Sequence, residues 1–590
     1  GGGAAAALPR RLAPPGAPGE PLGEKEVAVW VGALGTQSTD AVEVLEVSRR
    51  GLDDEAVRPL VALLLSASVL ESFSRLSRVD LSGNVLGNDG CVLLGESVAA
   101  LHGRPMGGLR YLCLASNRIG AQGAAALAGS FFPDCTSLDT DLVGVVADEY
   151  ALVLSDNPLG DTGVEAVTSS VIKTRCRVAL HMCNVGCTGR GCNAVAESLP
   201  WLSSLDLGYN TIPIARLETL VSSAGNHLRQ LSLAQMAPND GRSMSRNLVV
   251  QALADLLTSG HTPLASLNLA SNDLQDSGLR LLADALVADE SPHVQVLDLS
   301  QNRLQDGNLL ANILVHGGER LATLNLEGNE LGDLAVVALA AGIALAPPLR
   351  RLNLSRNRFG DDGVIALAHT IRNQGDFAPS AAAEQAAPSP EGIAAWLQNL
   401  RGLQASPAWA WDDAEAGLLE LDVSVNMIMD DGAIALAESV SRCTSNGVAN
   451  LARLDLSDNS IGNAGRDALE SVVRASHQRV QAAALSLAAA GALPSSEARP
   501  PPRPLSVRGL GLEFLDSELA AHLTSGASAE PQASSEDTRH SSAAPSAAVG
   551  SEAPPLGAEP SPPAPEAAAP APAPASEVGL VGVRWRPARR

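Results

Sequence analysis

Residues 357–371 read NRFGDDGVIALAHTI. An Asn precedes an apolar residue, then Gly, two Asp and Gly, and then an Ala/Leu/Ile run. The word returns as NVLGNDGCVLLGESV (84–98), NPLGDTGVEAVTSSV (157–171), NMIMDDGAIALAESV (426–440) and NSIGNAGRDALESVV (459–473). A segment that recurs in this way is a structural unit, so the repeats are read before any catalytic site is sought.

Aligned on the Asn, the copies share the pattern LxxLxLxxNxL, a Gly or polar turn, and a helical stretch. The clearest markers are Asn84, Asn117, Asn157, Asn210, Asn272, Asn302, Asn329, Asn357, Asn426 and Asn459. Weaker copies put Arg50, Cys183 and Met236 at the same place, for about 13 repeats in all. Successive markers are often 26, 27 or 28 residues apart, but Asn357 and Asn426 are separated by 69.

In LxLxxN the two Leu lie on one face of a short strand and point into the core. The Asn turns inward to bond backbone groups left over where the strand ends, so stacked Asn should form a ladder. Gly360 is expected to permit the turn, Asp361 to cap the helix that follows, and Asp362 to favour its dipole. Val364, Ile365, Leu367 and Ala368 then fall on the buried side of that helix. One repeat alone exposes its apolar face; stacking covers it.

This pattern resembles the leucine-rich repeat family, in its long, helix-containing ribonuclease-inhibitor subclass. The resemblance covers roughly residues 41–487 and implies an α/β solenoid, or horseshoe. Parallel strands would line its concave face and helices its convex face, since strands stack about 4.8 Å apart and helices about 8–10 Å. Cys at the Asn position, as at Cys183, also fits the subclass. Similar repeats occur in the Ran GTPase-activating protein and in nucleotide-binding immune receptors.

Composition agrees with a large solenoid: 45% hydrophobic but only 3% aromatic, so the core is aliphatic. Net charge is −24, and about −20 of it belongs to the repeats. That argues against phosphate-backbone binding and for a basic protein partner. Eight Cys without a CxxC framework read as reduced thiols. No apolar run is long enough to cross a membrane. The opening GGGAAAALPRRLAPPGAPGE lacks the apolar core of a secretory signal. These features suggest a cytoplasmic protein, with nuclear and ciliary locations as alternatives.

Three regions follow: a low-complexity N-terminal segment (1–40), the solenoid (41–487) with an insertion near 373–416, and a Pro/Ala/Ser-rich disordered tail (488–590). The stretch KEVAVWVGAL in the first of these is a candidate cap.

The strand position between the two Leu faces the concave side. It holds Glu46, Asp80, Asp206, Asp298, Asp422 and Asp455, with Asn268, Asn325 and Asn353 among them. This is either an acidic strip for a basic partner or a run of ordinary solvated repeat residues. Trp396, Trp409 and Trp411 of the insertion are either interface anchors or a cover for the helical side. Cys176, Cys183, Cys187 and Cys192, with His181 nearby, lack the paired spacing of zinc modules and read as structural.

No phosphate loop or nucleophile elbow is present, and Asp361–Asp362 and Asp430–Asp431 read as helix caps. The expectation is therefore a non-enzymatic interaction scaffold without cofactor or metal. The alternative is a regulator of a small, Ran-like GTPase, acting on a nucleotide held by its partner.

Overall fold

A computed structural model describes residues 11–510, apart from 18, 35–41, 71–74, 103–108, 133–149, 176, 225–226, 237–242, 260–262, 289–293, 317–320, 346–348, 374–417, 446–450 and 490–504. Trp396, Trp409, Trp411 and Cys176 lie outside the described residues, as does nearly all of the insertion.

Fifteen short strands form one open, wholly parallel sheet in chain order. They are β1 (Arg11–Leu12), β2 (Val44–Glu46), β3 (Arg78–Asp80), β4 (Tyr111–Cys113) and β5 (Tyr150–Val153). Next come β6 (Val178–His181), β7 (Leu202–Asp206), β8 (Gln230–Ser232), β9 (Ser266–Asn268) and β10 (Val296–Asp298). The last are β11 (Thr323–Asn325), β12 (Arg351–Asn353), β13 (Glu420–Asp422), β14 (Arg453–Asp455) and β15 (Ser506–Arg508). A helix follows each of the first fourteen, as parallel pairing requires of a crossover. The core is one continuous aliphatic cluster between sheet and helices, from Leu12 to Val507. In helix Asp361–Asn373, Val364, Leu367 and Ala368 are buried; Ile365 is only half-buried.

The Asn ladder forms. Asn329 donates through Nδ2 to the carbonyls of Leu299 and Leu326, both at 3.0 Å. Its Oδ1 accepts the amides of Asn302 (2.9 Å) and Leu304 (3.0 Å). One amide thus ties two repeats together with its donors and acceptor engaged. Asn84, Asn210, Asn302 and Asn459 do the same. The residue before each marker takes the left-handed backbone that aims the Asn inward: Ser116, Asp156, Tyr209, Ser271, Arg356 and Asp458 have φ of 55–60°.

Four expectations need correction. The first concerns Cys183. Leu152 pairs with Leu180, so the residue in register with Asn157 is Val185, and Val185 and Cys187 donate their amides to Asn210 Oδ1. A register shift between Val178 and Ala179 accompanies this copy. The ladder slot is apolar here, and again at Met236.

The second concerns the caps. Asp361 does not cap its own helix; its Oδ1 accepts the amide of Met429, at the head of the next one, at 2.8 Å. The helix that starts at Asp361 is capped by Asp333 of the preceding repeat, which accepts Gly360 N–H (2.8 Å) and Gly363 N–H (2.9 Å). Asp430 serves Gly462 and Gly465, and Asp161 serves Thr188 and Gly191, in the same way. This is a second ladder, running along the helix N-termini.

The third concerns glycine, and it explains the GDDG word. Gly360 does not adopt a positive φ. The second Gly is the demanding one, because the carboxylate of the previous repeat sits where its side chain would be. A Cβ on Gly432 would lie 2.6 Å from Asp361 Oδ1, and one on Gly465 would lie 2.9 Å from Asp430 Oδ1.

The fourth concerns the boundaries. The sheet runs past both 41 and 487. At the N-terminal end Arg50, in the first ladder slot, is 4% exposed. Its guanidinium donates to the carbonyls of Pro14, Pro15, Gly16 and Ala17 at 2.7–3.0 Å, fastening β1 and its loop to β2. At the other end β15 is held by helix Asn463–Ala489: Leu505 donates its amide to Ser476 Oγ, and its carbonyl lies 3.1 Å from His477 Nε2. Neither end strand is followed by the marker Asn.

Candidate functional site

The face of the sheet opposite the helices carries the residues that alternate with the core Leu. Asn268, Asp298, Asn325, Asn353, Asp422, Asp455 and Arg508 are consecutive partners across β9–β15. Asp80 pairs with Glu46 on one side and Cys113 on the other. Asp206 lies between His181 and Ser232. The sequence-predicted acidic strip is therefore one continuous row at Asp298, Asp422 and Asp455, with Asp206 and Asp80 standing apart. Cys113, Val153 and His181, all buried, fill the interval between Asp80 and Asp206.

Each member of the row has a local structural role. Asp298 Oδ1 accepts the Ser300 amide (2.9 Å) and hydroxyl (2.7 Å), and Asp422 does the same with Ser424 (3.0 and 2.7 Å). Asp80 and Asp206 accept the amides of Ser82 and Gly208, both at 2.9 Å, and Asp455 that of Ser457 at 3.0 Å. These are Asx turns, in which the side chain takes up an amide just past the strand end. One oxygen of each carboxylate is thus committed to the fold.

The row is recessed rather than freely solvated. Asn325 and Asn353 are buried, and Asp298, Asp422 and Asp455 half-buried. Burial pushes the Asp298 carboxyl up, against the hydrogen bonds from Ser300 and Asn325. Burial also raises Asp422, with Asp455 adding to the effect and Ser424 and Arg508 opposing it. Glu327 rises through burial too; Arg356 opposes this, and Asp422 and Asp298 reinforce it. The dominant cause in each case is the loss of water around the charged form.

Basic residues that the strand pattern did not single out divide the face in two. Over β11–β15, Arg356 pairs with Glu327 (3.3 Å), while Arg351 and Arg453 flank Glu420 at 3.9 and 3.6 Å. Arg508 stands beside Asp455. Over β5–β10 no Lys or Arg occupies a facing position in the strands or the turns that end them. The carboxylates there are Asp156, Asp206 and Asp298.

In that second zone stands a residue the sequence reading passed over. Tyr209, 48% exposed, occupies the left-handed position before Asn210 at φ 60°. Most other residues at this position are small or flexible; an aromatic there is unusual. Its amide donates to Ala234, and its neighbour Gly208 links Asp206 to Asn184, whose Nδ2 holds Asp156 at 2.9 Å. Burial raises the Tyr209 phenol, and Cys183, Asp298, Asp206 and Asp156 raise it further. The signal that could have found it is an aromatic at the residue before a marker Asn.

The cysteines fall into place as core residues. Cys91, Cys113, Cys187 and Cys192 are buried, and burial lifts the first three thiols to about 12 and Cys192 to about 11. Among the described residues no group of three or more His, Cys, Asp or Glu is placed to hold a metal ion. Among them also, no helix is long and apolar enough to cross a membrane.

Residues 109–128, 151–167, 260–283, 290–307, 346–368 and 449–469 match the family described as Leucine Rich repeat. The Tonsoku-like protein of Danio rerio is 29% identical over 312 residues, which are 50% of this chain and 20% of that protein. NACHT, LRR and PYD domains-containing protein 3 of Rattus norvegicus is 28% identical over 284 residues, 46% of this chain and 25% of its own length. The ribonuclease inhibitor of Sus scrofa is 29% identical over 208 residues, 34% of this chain and 43% of its own. The chain thus spans less than half the length of each of these relatives.

Proposed function

We propose that this chain, a leucine-rich-repeat solenoid of the ribonuclease-inhibitor-like type, is a protein-interaction scaffold whose sheet face receives a basic segment of a partner protein. Proteins of this repeat class generally mediate protein–protein interaction. The observation that carries the reading is electrostatic. A face held rigid by two ladders of hydrogen bonds presents Asp156, Asp206 and Asp298 over six strands without a facing Lys or Arg. The acidic body favours approach of a cationic partner, and fixed carboxylates set its register.

The test places a photo-crosslinking residue at Ser232 or Gln230 on the sheet face and at Glu218 or Arg280 on the helical face. Partners recovered from cell extract should be basic, should attach from the sheet-face positions, and should be lost as salt is raised. Attachment from the helical positions alone, or binding indifferent to salt, would refute the reading.

A further inference from the structure

We infer that Tyr209 is the aromatic wall of a subsite for one Lys or Arg side chain, with Asp206 as its counter-ion and Asp156 and Asp298 supplying the surrounding field. The inference rests on the basic-partner reading above and makes it local.

Three observations converge on this residue. Its ring is half-exposed, and its phenol makes no hydrogen bond to the described residues. The side chains at three adjoining positions are small: Gly208 precedes it, Ala234 accepts its amide, and Ser232 pairs with Asp206. The carboxylates that act on it are Asp298, Asp206 and Asp156, whereas Glu420, Glu327 and Asp455 stand against Arg351 and Arg453, Arg356, and Arg508. An aromatic face flanked by carboxylates attracts a cation by its quadrupole and by direct charge. A neutral or anionic side chain would gain neither. The left-handed position requires no aromatic, since Ser116 and Ser271 hold it at φ 55° and 58°.

The experiment titrates the full chain with hexalysine and measures affinity by calorimetry at low salt. Tyr209→Ser, which places there the residue other repeats use, and Asp206→Asn should each weaken binding about fivefold or more. Tyr209→Phe keeps the ring and should stay within about twofold. Glu218→Gln removes one charge from the exposed helix of the same repeat and should also stay within about twofold.

Hexalysine that fails to bind the unaltered chain would sink the basic-partner reading and the subsite together. Binding that Tyr209→Ser leaves unchanged would overturn the subsite alone. The subsite also falls if Glu218→Gln weakens binding as much as Asp206→Asn, which would mean a diffuse field, or if Tyr209→Phe behaves like Tyr209→Ser. Circular dichroism of each variant confirms that the repeats remain folded.

Discussion

Replacing Asn329 by Ala removes four hydrogen bonds at once: two donated to Leu299 and Leu326 and two accepted from Asn302 and Leu304. Asn329 is 4% exposed, so water has little access to the backbone groups left behind. At a net worth of about 1 kcal/mol per bond, the loss should be about 4 kcal/mol. Asn459 makes a comparable set of bonds but is half-buried near the end of the stack, where water can replace part of what is lost. Asn459→Ala should therefore cost about 2 kcal/mol. Urea titration followed by circular dichroism measures both. Hydrogen exchange at the Asn302 and Leu304 amides should accelerate in Asn329→Ala while exchange in distant repeats stays unchanged. A loss below about 1 kcal/mol for Asn329→Ala would show that the ladder is ornamental to stability. Equal losses at both sites would show that burial does not set its worth.

Glycine gives a contest of signs. By helix propensity, Gly→Ala stabilises an exposed helical site by about 1 kcal/mol, and Gly129, with nothing within 4 Å of a Cβ, should follow that rule. Gly465→Ala should lose stability instead, because its Cβ would meet Ile461, Ala433 and Asp430 at 2.7–2.9 Å; thermal unfolding of the two variants decides. Asp298 has a folded pKa above its unfolded value, so the folded state binds the proton more tightly and stability falls as pH rises from the ordinary carboxylate range through the raised value. Asp298→Asn, the residue its neighbours Asn268 and Asn325 carry, should flatten that slope and be at least as stable as the unaltered chain at pH 7, as urea titrations across pH would show. Cys91, Cys113, Cys187 and Cys192 should resist iodoacetamide at pH 8 in the native chain and react once it is unfolded, as peptide mass spectrometry reads directly.

The repeat, the parallel strands, the inward Asn and the helix starts were all legible in the sequence. Each rests on a pattern confined to about a dozen residues, repeated until chance is excluded. The site was legible only in part. Alternation within a strand shows that Asp298 and Asp422 share a face, but not that Arg508 opposes the charge of one of them while Tyr209 lies in the field of the other.

What the sequence by itself determined is the architecture of a single layer, because strand period, turn chemistry and apolar spacing act between near neighbours. What only the tertiary structure decided lies between layers. There Val185 takes the place assigned to Cys183, each Asp caps the helix of the following repeat, and Arg50 ties in a first strand that carries no marker Asn. Those choices depend on how residues some thirty or more positions apart are brought into register. Hydrogen bonds and charges respond to distance in space, and a linear pattern does not contain that distance.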